Sequence, residues 1–241
     1  MPPPAFPGIV RLSEGRGLYL GPVGDTTPHA HHAIQIALGL GGPVALSLQG
    51  RPPEAHSAWM VVPDVPHQLH PHPGPVALFF LEPESRLGRA LVRRWEGRGS
   101  GPLEPGPFLE LGRLLALRPL PDPWPALMEA LGVGPEPAPP ADPRILRTIA
   151  WLREEAEALP SLAQAARVAA LSPSRLSHVF SASTGLPFKT FVLWLRLQRA
   201  LAAMLAGHSL TRAAMDAGFA DSAHLSRTFR RMFGIAPSDL R

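Results

Sequence analysis

Proline divides this chain. Of its 31 prolines, 26 fall in residues 1–141 and 5 in residues 142–241. A proline inside a helix removes an amide donor and clashes with the preceding turn, so long uninterrupted helices are confined to the last hundred residues. The stretch GVGPEPAPPA, residues 132–141, reads as a semi-rigid extended connector between two domains, 1–131 and 142–241. Charge divides at the same place. Residues 1–141 carry 10 arginines against 12 acids, net −2, and residues 142–241 carry 13 basic residues against 7 acids, net +6, which sum to the +4 of the whole chain. A polyanionic partner is therefore expected for the carboxyl-terminal half.

Other classes fall away quickly. No apolar run approaches the roughly 18 residues needed to cross a bilayer, so no membrane role is expected. The start MPPPAF lacks the basic and apolar pattern of a secretory signal, and the chain contains no cysteine, which excludes disulfides, thiolate metal sites and cysteine nucleophiles. A cytoplasmic protein is expected.

The carboxyl-terminal half reads as helices with clear punctuation. Asp142-Pro143 opens a first helix with Ile145, Ile149 and Leu152 on one face, expected to reach about Ala158. Ser161 caps a short helix to Ala169, and Ser172-Pro173 caps another ending at Gly185. Residues 187–206 form a spacer helix of about 30 Å at 1.5 Å per residue. The helix pair then recurs: Ser161-Leu162 and Ala166 return as Ser209-Leu210 and Ala214, 48 residues on. Leu176 to Phe180 with Gly185-Leu186 return as Leu225 to Phe229 with Gly234-Ile235, 49 residues on, so the second turn holds one extra residue. The shared positions are those that packing and capping require. A basic tandem helix-turn-helix, about 161–184 and 209–234, fits two successive major grooves of double-stranded DNA, while a duplicated packing or protein-interaction domain is the competing reading.

Together with Arg196-Leu197, Ala200, Gly218-Phe219-Ala220-Asp221, Pro237-Ser238 and Arg241, these motifs make residues 142–241 resemble the DNA-binding domain of AraC/XylS transcription regulators. Ala170 stands where that family often has a turn glycine. The resemblance places base-facing positions on Ser174, Ser177 and His178 of the first recognition helix and on Ala223, Ser226 and Arg227 of the second. Arg227 can donate two hydrogen bonds to guanine, and Arg230 and Arg231, one turn on, suit phosphates. With only hydroxyls and a histidine assigned to it, the first helix is expected to read DNA more weakly, and RNA polymerase is the further partner such a regulator implies.

The amino-terminal half alternates short apolar segments (17–20, 34–40, 44–48, 59–62 and 76–81) with glycine and proline signals, the spacing of a small antiparallel barrel or sandwich. The expected fold class is thus α+β in two domains: a β-barrel with helices, then an all-α tandem helix-turn-helix. Seven of the ten histidines lie here. His29 and His31 alternate about Ala30, so on a strand they share a face and, with His67, converge inside the barrel. His70 and His72 flank Pro71 in a turn that reads as solvent-exposed.

Gly24, His29, His31, Gln35 and Gly42 resemble the first cupin motif, with Gln35 where metal-binding cupins place glutamate; Pro63 to His67 resembles a loosened second motif. In AraC-type regulators such a domain senses an effector. Three readings of His29, His31, Gln35 and His67 stay open: a pocket for an organic small-molecule effector, a divalent transition-metal site on the three histidines, or histidines without a ligand. No cofactor is implied beyond these. Helical stretches at 84–95 and 105–131, with Leu111, Leu114, Leu115, Leu127 and Leu131, either form a homodimer contact or cover the sheet of their own chain. The expectation is an effector-responsive, sequence-specific DNA-binding regulator rather than an enzyme. The alternative is a metal-dependent cupin dioxygenase or isomerase with an accessory helical domain.

Overall fold

The computed structural model describes residues 8–134, 141–154 and 160–240. The chain forms two compact units, and the division is not a simple cut: residues 231–241 fold with residues 1–139, and residues 140–230 form the other unit. Most of the expected connector, and the end of the first carboxyl-terminal helix, lie outside the described residues.

The first unit is built on nine strands: β1 (Ile9–Ser13), β2 (Arg16–Gly21), β3 (Ile34–Gly39), β4 (Val44–Leu48), β5 (Glu54–His56), β6 (Ala58–Val61), β7 (His67–Leu69), β8 (Val76–Leu81) and β9 (Gly101–Leu103). They form two antiparallel sheets, ordered β1-β2-β8-β3-β6-β9 and β5-β4-β7, rather than one closed barrel. The five apolar segments expected from sequence are β2, β3, β4, β6 and β8. Of the other four, β5, β7 and β9 are three residues long, so their pairing comes from neighbours rather than from their own pattern.

Side-chain parity explains the layering. Leu18, Ile36, Met60 and Phe79 share one face of the six-stranded sheet, where Ile36 pairs with both Met60 and Phe79. That face buries against α1 (Arg86–Arg94), α2 (Phe108–Ala116) and α3 (Trp124–Ala130) in a core that includes Leu91, Leu111, Leu115, Leu127 and Leu131. Leu111, Leu115, Leu127 and Leu131 thus cover the sheet of their own chain. Alternate residues, Ala37, Trp59, Val61 and Leu78, face a second core with Val44, Leu46 and Leu69 of the three-stranded sheet. Gln35 has the parity of Ala37 and therefore points between the two sheets.

The second unit contains α4 (Pro143–Glu154), α5 (Leu162–Ala169), α6 (Pro173–Thr184), α7 (Phe188–Leu205), α8 (Leu210–Asp216) and the first nine residues of α9 (Ser222–Phe233). Every helix-turn-helix start has its cap: the hydroxyls of Ser161, Ser172 and Ser209 accept from the backbone amides of Gln164, Arg175 and Arg212, and Ser161 with Gln164 completes a capping box. Asp221 does the same for α9 through the His224 amide. Ile145, Ile149 and Leu152 of α4 join Ala165, Ala166, Leu176, Phe180 and Phe191 in one buried cluster. Arg199 of α7 donates to the carbonyls of Leu152 and Arg153, so the spacer helix is also bonded to α4.

Candidate nucleic-acid interface and histidine cluster

The two recognition helices present the side chains expected of them. On α6, Leu176 and Phe180 are buried while Ser174 and His178 are exposed and Ser177 is half-buried. On α9, Leu225 and Phe229 are buried at the matching positions, Ala223, Arg227, Arg230 and Arg231 are exposed, and Ser226 is half-buried with its hydroxyl donated back to the Ser222 carbonyl. Packing thus orients each helix: one face is fixed in the core and the polar face is presented to solvent. Sequence reasoning missed Arg175. It lies exposed on α6, so this helix carries a cation as well as hydroxyls and a histidine. Its place beside Ser174, one step around the helix from the buried Leu176, was the available signal.

The turns of the two pairs differ in length, residues 170–172 against 217–221, yet each contains one left-handed residue near its start. Ala170 ends α5 in the left-handed region at φ 53°, and Gly218 takes the corresponding place after α8 at φ 77°. The missing glycine therefore leaves the turn intact, at a cost of about 1 kcal/mol for a side chain in that conformation. Gly185 and Gly234 cap α6 and α9 at φ 78° and 72°.

In the first unit the structure brings His29, His31, Gln35 and His67 together. His29 and His31 are not on a regular strand, as the alternation suggested. They precede β3, where His29 forms one isolated antiparallel bridge with His67, closed by both backbone hydrogen bonds at 2.9 and 2.8 Å. One nitrogen from each of the three rings lies within 4.8 Å of the others. All three histidines and Gln35 are buried. His32, the next residue, instead makes a buried ion-pair contact with Glu84 at 2.8 Å.

Hydrogen bonds set the ring tautomers. The Nδ1 atoms of His29, His31 and His67 face the carbonyls of Thr27, Ala33 and Val65 at 2.8, 3.0 and 2.9 Å. A carbonyl only accepts, so each Nδ1 carries the proton and each Nε2 is left as a lone pair. Burial, followed by repulsion among the rings, keeps them neutral: His31 is pushed down to about 4 and His67 to about 2, and burial lowers His29 as well. The Nε2 of His67 is buried without a partner. His31 stands between two acceptors, since its Nε2 lies 3.0 Å from Gln35 Oε1 while the Gln35 amide nitrogen has no partner. Turning the amide over relieves the conflict, and so does a cation shared by His31 Nε2 and Gln35 Oε1. The donor set, three imidazole nitrogens and one amide oxygen, suits a borderline divalent ion.

The turn histidines behave differently from expectation. His72 is buried, with its ring between the carbonyls of Gly74 at 2.8 Å and Gly42 at 3.2 Å. His70 is half-buried and hydrogen-bonded to Ser47 at 2.8 Å. The HPHPG turn is folded back onto the sheets, and its prolines gave no sign of that.

The tandem helix-turn-helix has counterparts among known proteins. Residues 165–241 match the model of a helix-turn-helix domain. Over 102 residues, 42% of the chain, the sequence is 39% identical to the HTH-type transcriptional activator RhaS of Escherichia fergusonii. Over 84 residues, 34% of the chain, it is 34% identical to the transcriptional activator RhrA of Rhizobium meliloti. These alignments span 36% and 26% of the length of those relatives. The carboxyl-terminal half of the chain is thus similar to the helix-turn-helix portions of transcriptional activators. Across 94% of this chain and 97% of the other, the fold is similar to the crystal structure of ToxT from Vibrio cholerae, with a TM-score of 0.63 and 11% identity. A fatty-acid-bound ToxT matches equally, with a TM-score of 0.61, 11% identity and 95% of both chains covered.

Proposed function

We propose that this protein is a sequence-specific, DNA-binding transcription regulator, not an enzyme, and that it works on double-stranded DNA in the cytoplasm with RNA polymerase as the machinery it serves. The observation that carries the reading is the repeated pair of capped helices whose core faces match and whose free faces hold Ser174, Arg175, Ser177 and His178 on one helix and Ala223, Ser226, Arg227, Arg230 and Arg231 on the other. Arg227 is the base reader and Arg175, Arg230 and Arg231 are phosphate contacts. Among the described residues no helix is long and apolar enough to cross a membrane.

The first unit is the sensor, cupin-like in its motif, and its site is His29, His31, Gln35 and His67. ToxT has been crystallised with an unsaturated fatty acid bound. The polar cluster here has three lone pairs fixed by hydrogen bonds and an orphaned His67 Nε2, and these features favour a divalent transition ion such as Zn²⁺ or Co²⁺ over an organic molecule. The ion would act as a signal that holds the rings in place.

A salt titration of DNA affinity tests the DNA reading. The wild-type chain should show a steep linear fall of log K with log salt, and replacing both Arg230 and Arg231 by glutamine should reduce the slope by about 2. A salt-independent or absent interaction with DNA would overturn it. Titration of metal-free protein with Co²⁺, followed by its visible absorption, tests the site; no binding in the wild type overturns the metal reading alone.

A further inference from the structure

The outer face of the three-stranded sheet carries a second polar constellation. Val44, Leu46 and Leu69 point into the core between the sheets, so alternation sends Ala45 and Ser47 of β4 and Gln68 of β7 to the opposite face. His70 joins them, because its amide donates to the Ala45 carbonyl at 3.1 Å and extends the ladder by one residue. The Ser47 hydroxyl lies 2.8 Å from His70 Nε2, and His70 Nδ1 lies 3.5 Å from Asp25 Oδ1. Gln68 Nε2 donates to the same Asp25 oxygen at 3.1 Å, which holds the carboxylate beside the ring. Against a carboxylate, which only accepts, the neutral ring keeps its proton on Nδ1 and leaves Nε2 as a lone pair. The serine is then the donor in the 2.8 Å bond, and its oxygen keeps its lone pairs for an electrophile. Exposure rises along the three groups, from 8% for Ser47 to 25% for the His70 side chain and 60% for that of Asp25. The neighbours of Ser47 on this face are small: Ala45 lies two residues back on β4, and Ala55 of β5 pairs with Ala45.

We propose that Ser47 is a nucleophilic acyl-acceptor site, with His70 as its base, Asp25 as the residue that positions the base, and activated acyl compounds such as thioesters or aryl esters as its reactants. Ser47 Oγ attacks the acyl carbon while His70 Nε2 takes the hydroxyl proton, and Asp25 stabilises the imidazolium so formed. The bond from the acyl carbon to the leaving sulfur or oxygen then breaks, and the leaving thiol or alcohol takes the proton from His70 Nε2. The acyl group stays on Ser47 as an ester. Nothing is oxidised or reduced, and no further reactant is needed. The chain is itself the acceptor and is consumed, so the step is a modification of the protein and not turnover. It does not depend on DNA or on a metal ion: His67 shares the parity of Leu69 and points between the sheets, while the reacting atoms lie on the other face. An isolated hydroxyl is a weak nucleophile, and a base held against it by a third group is what makes it reactive.

The test uses the full-length chain and p-nitrophenyl acetate as the acyl donor. The wild type should release about one equivalent of p-nitrophenolate in a burst and carry the acetyl group on Ser47, identified by mass spectrometry of its peptides. Ser47 should be acetylated about tenfold faster, or more, than an exposed serine such as Ser13. Ser47→Ala should abolish the burst while amide exchange in β4 and β7 stays that of the wild type. His70→Gln should slow acetylation by about 100-fold. Asp25→Asn should slow it by about tenfold, less than a buried carboxylate would, because solvent screens this one. The chain has no cysteine, so Ser47→Cys supplies a single thiol and decides the matter if Ser47→Ala fails to fold. Iodoacetamide should alkylate that thiol about tenfold faster than in the double variant with His70→Gln. No burst, an acetyl group found on His70 or spread over the exposed serines, or a rate unchanged by His70→Gln in both the serine and the thiol forms overturns the proposal.

Discussion

The two helix-turn-helix pairs are copies in sequence and unequal in surroundings. Both open on a serine cap, cross at small alanines and close on a left-handed glycine, because those features satisfy helix ends and permit close packing wherever the motif occurs. Around the closing glycine they part. Gly185 stands in open space, whereas Gly234 is enclosed by Thr26, Thr27 and His29. A duplicated motif can therefore end in different surroundings in its two copies with no change in the residues that define it.

Acid should break this contrast most strongly. His31 falls from 6.5 to about 4 on folding, so the unfolded chain takes up a proton that the folded chain refuses. Stability from this group is complete above about pH 6.5 and is lost as pH falls toward 4, a change on the order of 3 kcal/mol at about 1.4 kcal/mol per pH unit. His67 acts in the same direction. Amide exchange on metal-free protein should show the surroundings of Gly234 loosening through that window while the neighbourhood of Gly185, with no buried histidine in its unit among the described residues, holds.

Next in size are the glycines themselves. Gly185→Ala should cost about 1 kcal/mol of backbone strain, and Gly234→Ala roughly 2–4 kcal/mol, since overpacking adds to the same strain. Equal losses in denaturant melts would show that Gly234 is only a cap. Arg227→Ala should weaken binding to the preferred duplex by about 1–3 kcal/mol and relax base preference at one position, while Arg175→Ala should weaken all sequences alike. Equal losses on preferred and random DNA would assign Arg227 to phosphate and make the two helices alike. The smallest effect is a gain. Ala170→Gly, which gives the first turn the residue that Gly218 supplies to the second, should stabilise the helical unit by about 0.5–1 kcal/mol in thermal unfolding.

Much of the carboxyl-terminal half was legible because its signals are local. A serine cap, a proline at the first helical position and a glycine at the helix end act within one or two turns, and α5, α6 and α8 start at their serines while α6 and α9 close on Gly185 and Gly234. The core strands were legible through apolar alternation. Strands β5, β7 and β9 were not, because three-residue segments such as Glu54–His56 carry no period of their own. Arg175 was overlooked although its exposure follows from the helix face that Leu176 and Phe180 define.

What the sequence determined by itself is the repeat, its caps and the identity of the residues that face outward on α6 and α9, all set by interactions among neighbours a few positions apart. Tertiary structure alone decided that His72 is buried, that the barrel is two sheets, and how His29, His31, Gln35 and His67, expected from sequence to converge, are brought together by a single bridge instead of a regular strand. His29 and His67 lie 38 positions apart in the chain, and their meeting depends on the register by which separate segments pair. It alone also decided that Gly234 touches Thr27, 207 positions away. Capping chemistry acts through the adjacent peptide groups and is written in order along the chain; close approach depends on which distant backbone arrives at the same few cubic ångströms, and only the packed fold specifies that.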